Sequence, residues 1–119
     1  MARIDRLERL DQRRADLEVE YRQTLTAALE RAASGKPGLF NHRADKRERA
    51  AVAPVIEELR GLGEAIDALR DQLMIEPFAL HRDFFDARGR VSPSAAGEPK
   101  QARQWLDRLA AEAGAAEPS

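Results

Sequence analysis

Residues 52–73 read VAPVIEELRGLGEAIDALRDQL. Val52, Val55, Leu59, Leu62, Ile66, Leu69 and Leu73 alternate steps of three and four, the spacing of a helix that packs along one apolar seam. An equivalent stripe precedes it. Residues 3–33 contain no Gly or Pro, and Ile4, Leu7, Leu10, Leu17, Tyr21, Leu25, Leu29 and Ala32 recur there at helical spacing. The two stripes are mirror images. Ile4 pairs with Leu73, Leu7 with Leu69, Leu10 with Ile66, Leu17 with Leu62, Tyr21 with Leu59, Leu25 with Val55 and Leu29 with Val52, at index sums of 76 to 81. A nearly constant sum is what two antiparallel helices require, because each rises roughly 1.5 Å per residue. The mirror centres on Gly38-Leu39-Phe40, the expected tip of a long helical hairpin.

The signals at the helix ends support that reading. Asp5, Glu8 and Asp11 load the early turns of the first arm with negative charge, which suits the positive end of a helix dipole. Ser34-Gly35 followed by Pro37 is a stop: glycine takes the left-handed cap and proline cannot continue the helix. Asp45-Lys46-Arg47-Glu48 has capping-box spacing, with Asn41 as an alternative N-cap. Pro54 then lies inside the second arm, opposing the carbonyl of Ala50. The expectation is one arm over 45–75, kinked at Pro54, because the mirror needs arms of equal length.

Pro77 is expected at the first position of a short aromatic helix carrying Phe78, Leu80, His81, Phe84 and Phe85 and ending at Arg88-Gly89. That helix is predicted to cover the open end of the hairpin near Ile4 and Leu73. The domain organisation follows: 1–89 hairpin plus aromatic helix, 90–98 linker, 99–114 amphipathic helix, 115–119 disordered tail. Ala102, Trp105, Leu106, Leu109 and Ala113 form the apolar face of the last helix, with Gly114 as its stop. The fold class is all-α: a coiled-coil-like antiparallel hairpin with two shorter C-terminal helices. Ile56 lies off the seam, and a homodimer of two hairpins would build a four-helix bundle around it.

Composition limits the function classes. The 119 residues carry 20 basic and 21 acidic side chains for a net charge of -1, which argues against a globally basic nucleic-acid binder. The absence of cysteine removes disulfide and thiolate chemistry. Leu, Ile, Val and Phe together number 25, enough for a helix seam but not for a deep core. No apolar run approaches the roughly 18 residues of a membrane span. The first residues alternate charged and apolar, unlike a signal peptide. A soluble, cytoplasmic protein is expected.

Candidate functional residues fall in two groups. Leu39 and Phe40 are bulky, while the arms nearest them offer mainly Ala27, Ala28, Ala32, Ala33, Ala50 and Ala51. The pair is therefore either a plug folded over the last turns or an exposed anchor for a protein partner. His42, Arg43, Lys46 and Arg47, with Arg49, form a basic run beside it; they extend the partner surface or, alternatively, meet nucleic-acid phosphates. The second group is a predicted cleft. Arg14 interrupts the first stripe opposite Gly63, with Gly61 nearby, and two mid-helix glycines cost roughly 1 kcal/mol each against alanine. Room for the Arg14 stem, with its charge reaching Glu64, Asp67 or water, would compensate; so would close approach of another helix such as the one bearing Trp105, or a hinge or ligand cleft.

Catalytic motifs are poor. Two histidines offer no paired ligands at helical spacing, and Ser34-Gly35-Lys36-Pro37-Gly38 lacks the leading glycine, the Ser or Thr and the preceding strand of a phosphate loop. Neither cofactor nor metal is expected. The predicted function is a non-enzymatic interaction or assembly protein (adaptor, scaffold or chaperone-like helper) that binds a protein partner or itself through the tip and helical faces. The alternative is a small nucleic-acid-associated regulator using residues 42–49.

Overall fold

In the computed structural model, the residues described are 2–36, 38–40, 46–89 and 98–116. They form four helices: α1 (Ala2–Ala33), α2 (Lys46–Gln72), α3 (Ala79–Gly89) and α4 (Glu98–Ala116). No strand occurs among them. His42, Arg43, the Asp45 and Asn41 caps, linker residues 90–97 and tail residues 117–119 lie outside the described residues. The C-terminal helix starts one residue before Pro99 and runs through Gly114.

Directions alternate down the chain. α1 runs towards the tip and α2 away from it. α3 returns: it starts beside Asp67 on α2, and near its end Arg88 donates from Nε to the Leu39 carbonyl at 2.7 Å. α4 starts at the tip, where Glu98 meets Gly38 and Phe40, and descends along α1 until Arg22 pairs with Glu112. α1 thus packs on α2 and on α4, while α3 closes the square opposite it. The shortest principal extent, 20 Å, is that of two helix layers. One chain supplies all four helices. Ile56 is buried within it, so its position off the seam calls for no second copy.

The first two helices close with the same backbone device. Gly35 (φ 105°) follows α1, with Lys36 N–H bonded to the Arg31 carbonyl and Gly35 N–H to that of Ala32. After α2, Ile75 N–H bonds the Arg70 carbonyl and Met74 N–H that of Asp71, with Met74 at φ 59°. Both are Schellman caps. The second ends α2 at Gln72, three residues before the expected boundary. α2 continues through Pro54 without a break, as the hairpin requires. Pro77 is not the first residue of α3. Phe78 precedes the helix and gives its N–H to Asp67 Oδ1 at 2.8 Å, so a carboxylate on α2 sets where α3 begins.

The arms pair with a different register from the mirror in the sequence. Near the tip Thr24, Ala28 and Ala32 share a groove of about 480 Å³ with Val52, Val55 and Glu58. Farther down, Arg70 reaches Glu18, where the mirror sets Leu69 against Leu7, eleven residues nearer the start of α1. A stripe that repeats every three to four residues still meets itself after a slide of whole turns, so periodicity could not fix this offset. As a result, α2 ends two residues past Arg70 and roughly 21 Å of α1 runs on beyond it. Ile4 and Leu7, at 51% and 44% exposure, lie on that projection. The aromatic helix does not cover them, contrary to the sequence-based expectation, because Asp67 and Gly63 draw it along α2 towards the tip.

Met74 holds the left-handed conformation without being glycine, at a cost of roughly 1–2 kcal/mol, and its side chain is 92% exposed. Met74→Gly should therefore stabilise the fold by about 1 kcal/mol once the entropy of glycine is subtracted. Chemical denaturation measures it, and a loss of stability would count against the cap as described.

Candidate functional site

Leu39 and Phe40 are core residues, at 1% and 2% exposure. An exposed anchor at the tip is thus not what the chain builds. The alanines beneath them do leave little cover, but the cover comes from α3 and α4. The Phe40 ring meets Phe84 edge-on at 5.6 Å and stacks on Trp105 at 6.4 Å, while Phe84 and Trp105 contact each other at 5.8 Å. Its N–H bonds Glu98 Oε1 at 2.8 Å, and Gly38 N–H bonds Oε2 at 3.3 Å. Glu98 is itself buried, and a buried carboxylate is tolerated only where donors replace its water. Beside the tip, Lys46, Arg47 and Arg49 are exposed.

The structure does not assemble the predicted cleft of Arg14, Gly61, Gly63 and Trp105. Arg14 pairs along its own helix, at 2.8 Å with Asp11 and 3.0 Å with Glu18. Glu18 also accepts from Arg70 Nε at 2.8 Å, and Arg70 donates to the Glu76 carbonyl. This network ties α1 to the end of α2. Gly61 faces open space, and Trp105 belongs to the tip cluster. Gly63 does receive a close neighbour, but the helix is α3 and the residue is His81: a methyl at Gly63 would overlap the imidazole.

His81 was the residue whose role the sequence hid. Its Nδ1 lies 2.8 Å from the hydroxyl of Tyr21, which is fully buried. Burial, assisted by Asp67, raises the Tyr21 hydroxyl pKa far above its usual range, so tyrosine keeps its proton, and the imidazole tautomer sets which partner donates. Phe78 and His81 both stand edge-on to the Tyr21 ring, and Phe85 packs on the imidazole at 4.8 Å. Burial lowers the His81 pKa; Asp67 and Glu64 oppose the shift and Arg60 adds to it. The available signal was a mid-helix glycine facing an aromatic segment of fitting length. Nothing in the sequence selected His81 over its neighbours.

The exposed large apolar side chains among the described residues are Ile4, Leu7, Val19, Met74 and Ile75. Ile4 and Leu7 are exposed on the α1 projection, with Met74 and Ile75 exposed at the nearby end of α2. At about 100° per residue, Arg3 and Arg6 lie on one side of the Ile4–Leu7 strip and Glu8 on the other, while Asp11 continues the strip and pairs with Arg14 at 2.8 Å. Among the described residues no group of His, Cys, Asp and Glu forms a metal cage, and no helix is long and apolar enough to cross a membrane. No known protein family, curated protein or solved structure matches the chain.

The two glycines of α2 should respond oppositely to alanine. Gly61→Ala should stabilise by about 1 kcal/mol, the helix-propensity gain alone. Gly63→Ala should destabilise by about 1–3 kcal/mol through overpacking against His81. Equal stabilisation by both, read from denaturation midpoints, would remove the His81 contact.

His81 also predicts a pH dependence. A folded pKa below the unfolded value near 6.5 means that the unfolded chain binds more protons, so stability is full above about pH 6.5 and falls as pH drops through the folded pKa. Denaturation midpoints should decline from pH 7 to 5 in the wild type and stay flatter in His81→Gln. An unchanged slope in that variant would assign the effect to other groups.

Proposed function

We propose that this chain is a non-enzymatic, cytoplasmic interaction module that docks one helix of a partner protein along the projecting turns of α1. The observation that carries the reading is the exposure of Ile4 and Leu7, on helix that α2 stops short of covering. Removing two such side chains from water on binding is worth roughly 1.5–3 kcal/mol each at full burial. Among the described residues the other end of the hairpin has no equivalent surface, since Leu39 and Phe40 are already covered.

The charge pattern favours a different protein over a second copy. In a two-fold antiparallel pair each flank of the strip meets its own kind, Arg6 near Arg6 and Glu8 near Glu8. Like charges so placed repel. A partner helix with acidic residues facing Arg3 and Arg6, and a basic residue facing Glu8, pairs on both sides.

Because Ile4 and Leu7 are exposed in the free chain, the double variant Ile4→Ser/Leu7→Ser should change stability by less than about 0.5 kcal/mol. Affinity capture with wild type and variant side by side should then show one protein retained only by the wild type. Identical capture by both would refute the docking strip. Sedimentation velocity at micromolar concentration should give a monomer. A wild-type dimer that the double variant dissolves would replace the heterologous partner with a second copy.

A further inference from the structure

Three arginines from separate points in the sequence converge on one hollow beside the tip. Arg49 and Arg60 come from the two halves of α2, and Arg88 from the end of α3; with Gly38, Val52 and Ile56 they line a cavity of about 280 Å³. The fold brings two of them onto one ring: the Arg60 and Arg88 guanidinium carbons lie 5.4 and 6.0 Å from the centre of Phe85. Like charges held that close repel, and burial together with Arg60 lowers the Arg88 pKa. Compensation inside the protein is partial. Glu57, also in the lining, pairs with Arg60 at 2.8 Å. Neither Arg49 nor Arg88 has a carboxylate within ion-pair distance among the described residues. Glu98, the acid that acts on Arg88 through space, is occupied by the Gly38 and Phe40 amides.

We propose that the Arg49–Arg60–Arg88 hollow is a binding site for a small phosphorylated anion, a diphosphate or phosphate monoester. Three guanidiniums against Glu57 in the lining and Glu98 acting on Arg88 from a distance leave the hollow net positive, which suits an anion. Planar forks that each present several N–H donors suit phosphate oxygens better than a single point charge does. Arg88 is the fixed wall, because its Nε donates to the Leu39 carbonyl at 2.7 Å. Arg49, which is exposed, closes from the rim. The hollow shares no residue with the α1 strip, so it stands or falls separately from the partner proposed above.

The test titrates the whole chain with pyrophosphate and with inorganic phosphate at constant ionic strength. Trp105 fluorescence and thermal midpoint are the readouts, and an oligonucleotide and anionic vesicles are the comparison arms. The site predicts saturable binding of pyrophosphate, a raised midpoint, and no added gain from a polynucleotide or a bilayer. Arg49→Gln should leave the unliganded midpoint unchanged and weaken pyrophosphate about tenfold or more. Arg60→Gln should weaken it similarly, which keeps the test informative if Arg88→Gln unfolds the tip. No saturable binding of either anion, equal binding by Arg49→Gln, or binding of the polynucleotide or vesicles alone would overturn the proposal.

Discussion

The carboxylate of Glu98 is the joint on which the remaining architecture depends. It receives two backbone amides from the turn between α1 and α2, and it is the first residue of α4. One side chain thereby fixes the start of a helix 58 residues away from the turn it holds. With the turn held inward, Phe40 becomes the centre of a ring cluster with Phe84 and Trp105. That cluster gives α3 and α4 a common surface. Each bond would be weak in water; buried, leaving any partner unmatched costs about 1–3 kcal/mol. The tip is the closed end of the molecule for this reason.

What the sequence made legible was what depends on local rules. Helix identity, the Gly35 stop and continuity through Pro54 followed from periodicity, caps and the need for matched arms. Register did not, because a heptad stripe is nearly unchanged by a slide of whole turns. The end of α2 was missed because a methionine, not a glycine, takes the left-handed position. The cover over Leu39 and Phe40 was missed for a different reason. It is supplied by Phe84, Glu98 and Trp105, whose distance along the chain leaves no pattern. The packing of His81 against Gly63 belongs to the same class: the glycine was visible, its occupant was not.

The consequence of register and cover together is a molecule with two unlike ends. Near the tip, α3 and α4 bury the apolar residues and leave arginines at the surface around a hollow. At the other end, α1 outruns α2 and keeps Ile4 and Leu7 in water. The ion-pair network of Arg14, Glu18 and Arg70 marks the boundary between paired and projecting helix. The tip residues Leu39 and Phe40 are thus buried and the exposed Ile4 and Leu7 lie at the opposite end, for a geometric reason and not a chemical one.

The central claim is that Glu98 holds the tip closed beneath α3 and α4, and the single tryptophan reports on it. Trp105 emission and acrylamide quenching should be compared in the wild type and in Glu98→Ala, alongside far-ultraviolet circular dichroism. The account predicts a red-shifted, more quenchable Trp105 in the variant, with most of the α1–α2 helicity retained as α4 loosens from the turn. A Trp105 that stays equally sheltered in Glu98→Ala, at unchanged stability, would contradict it.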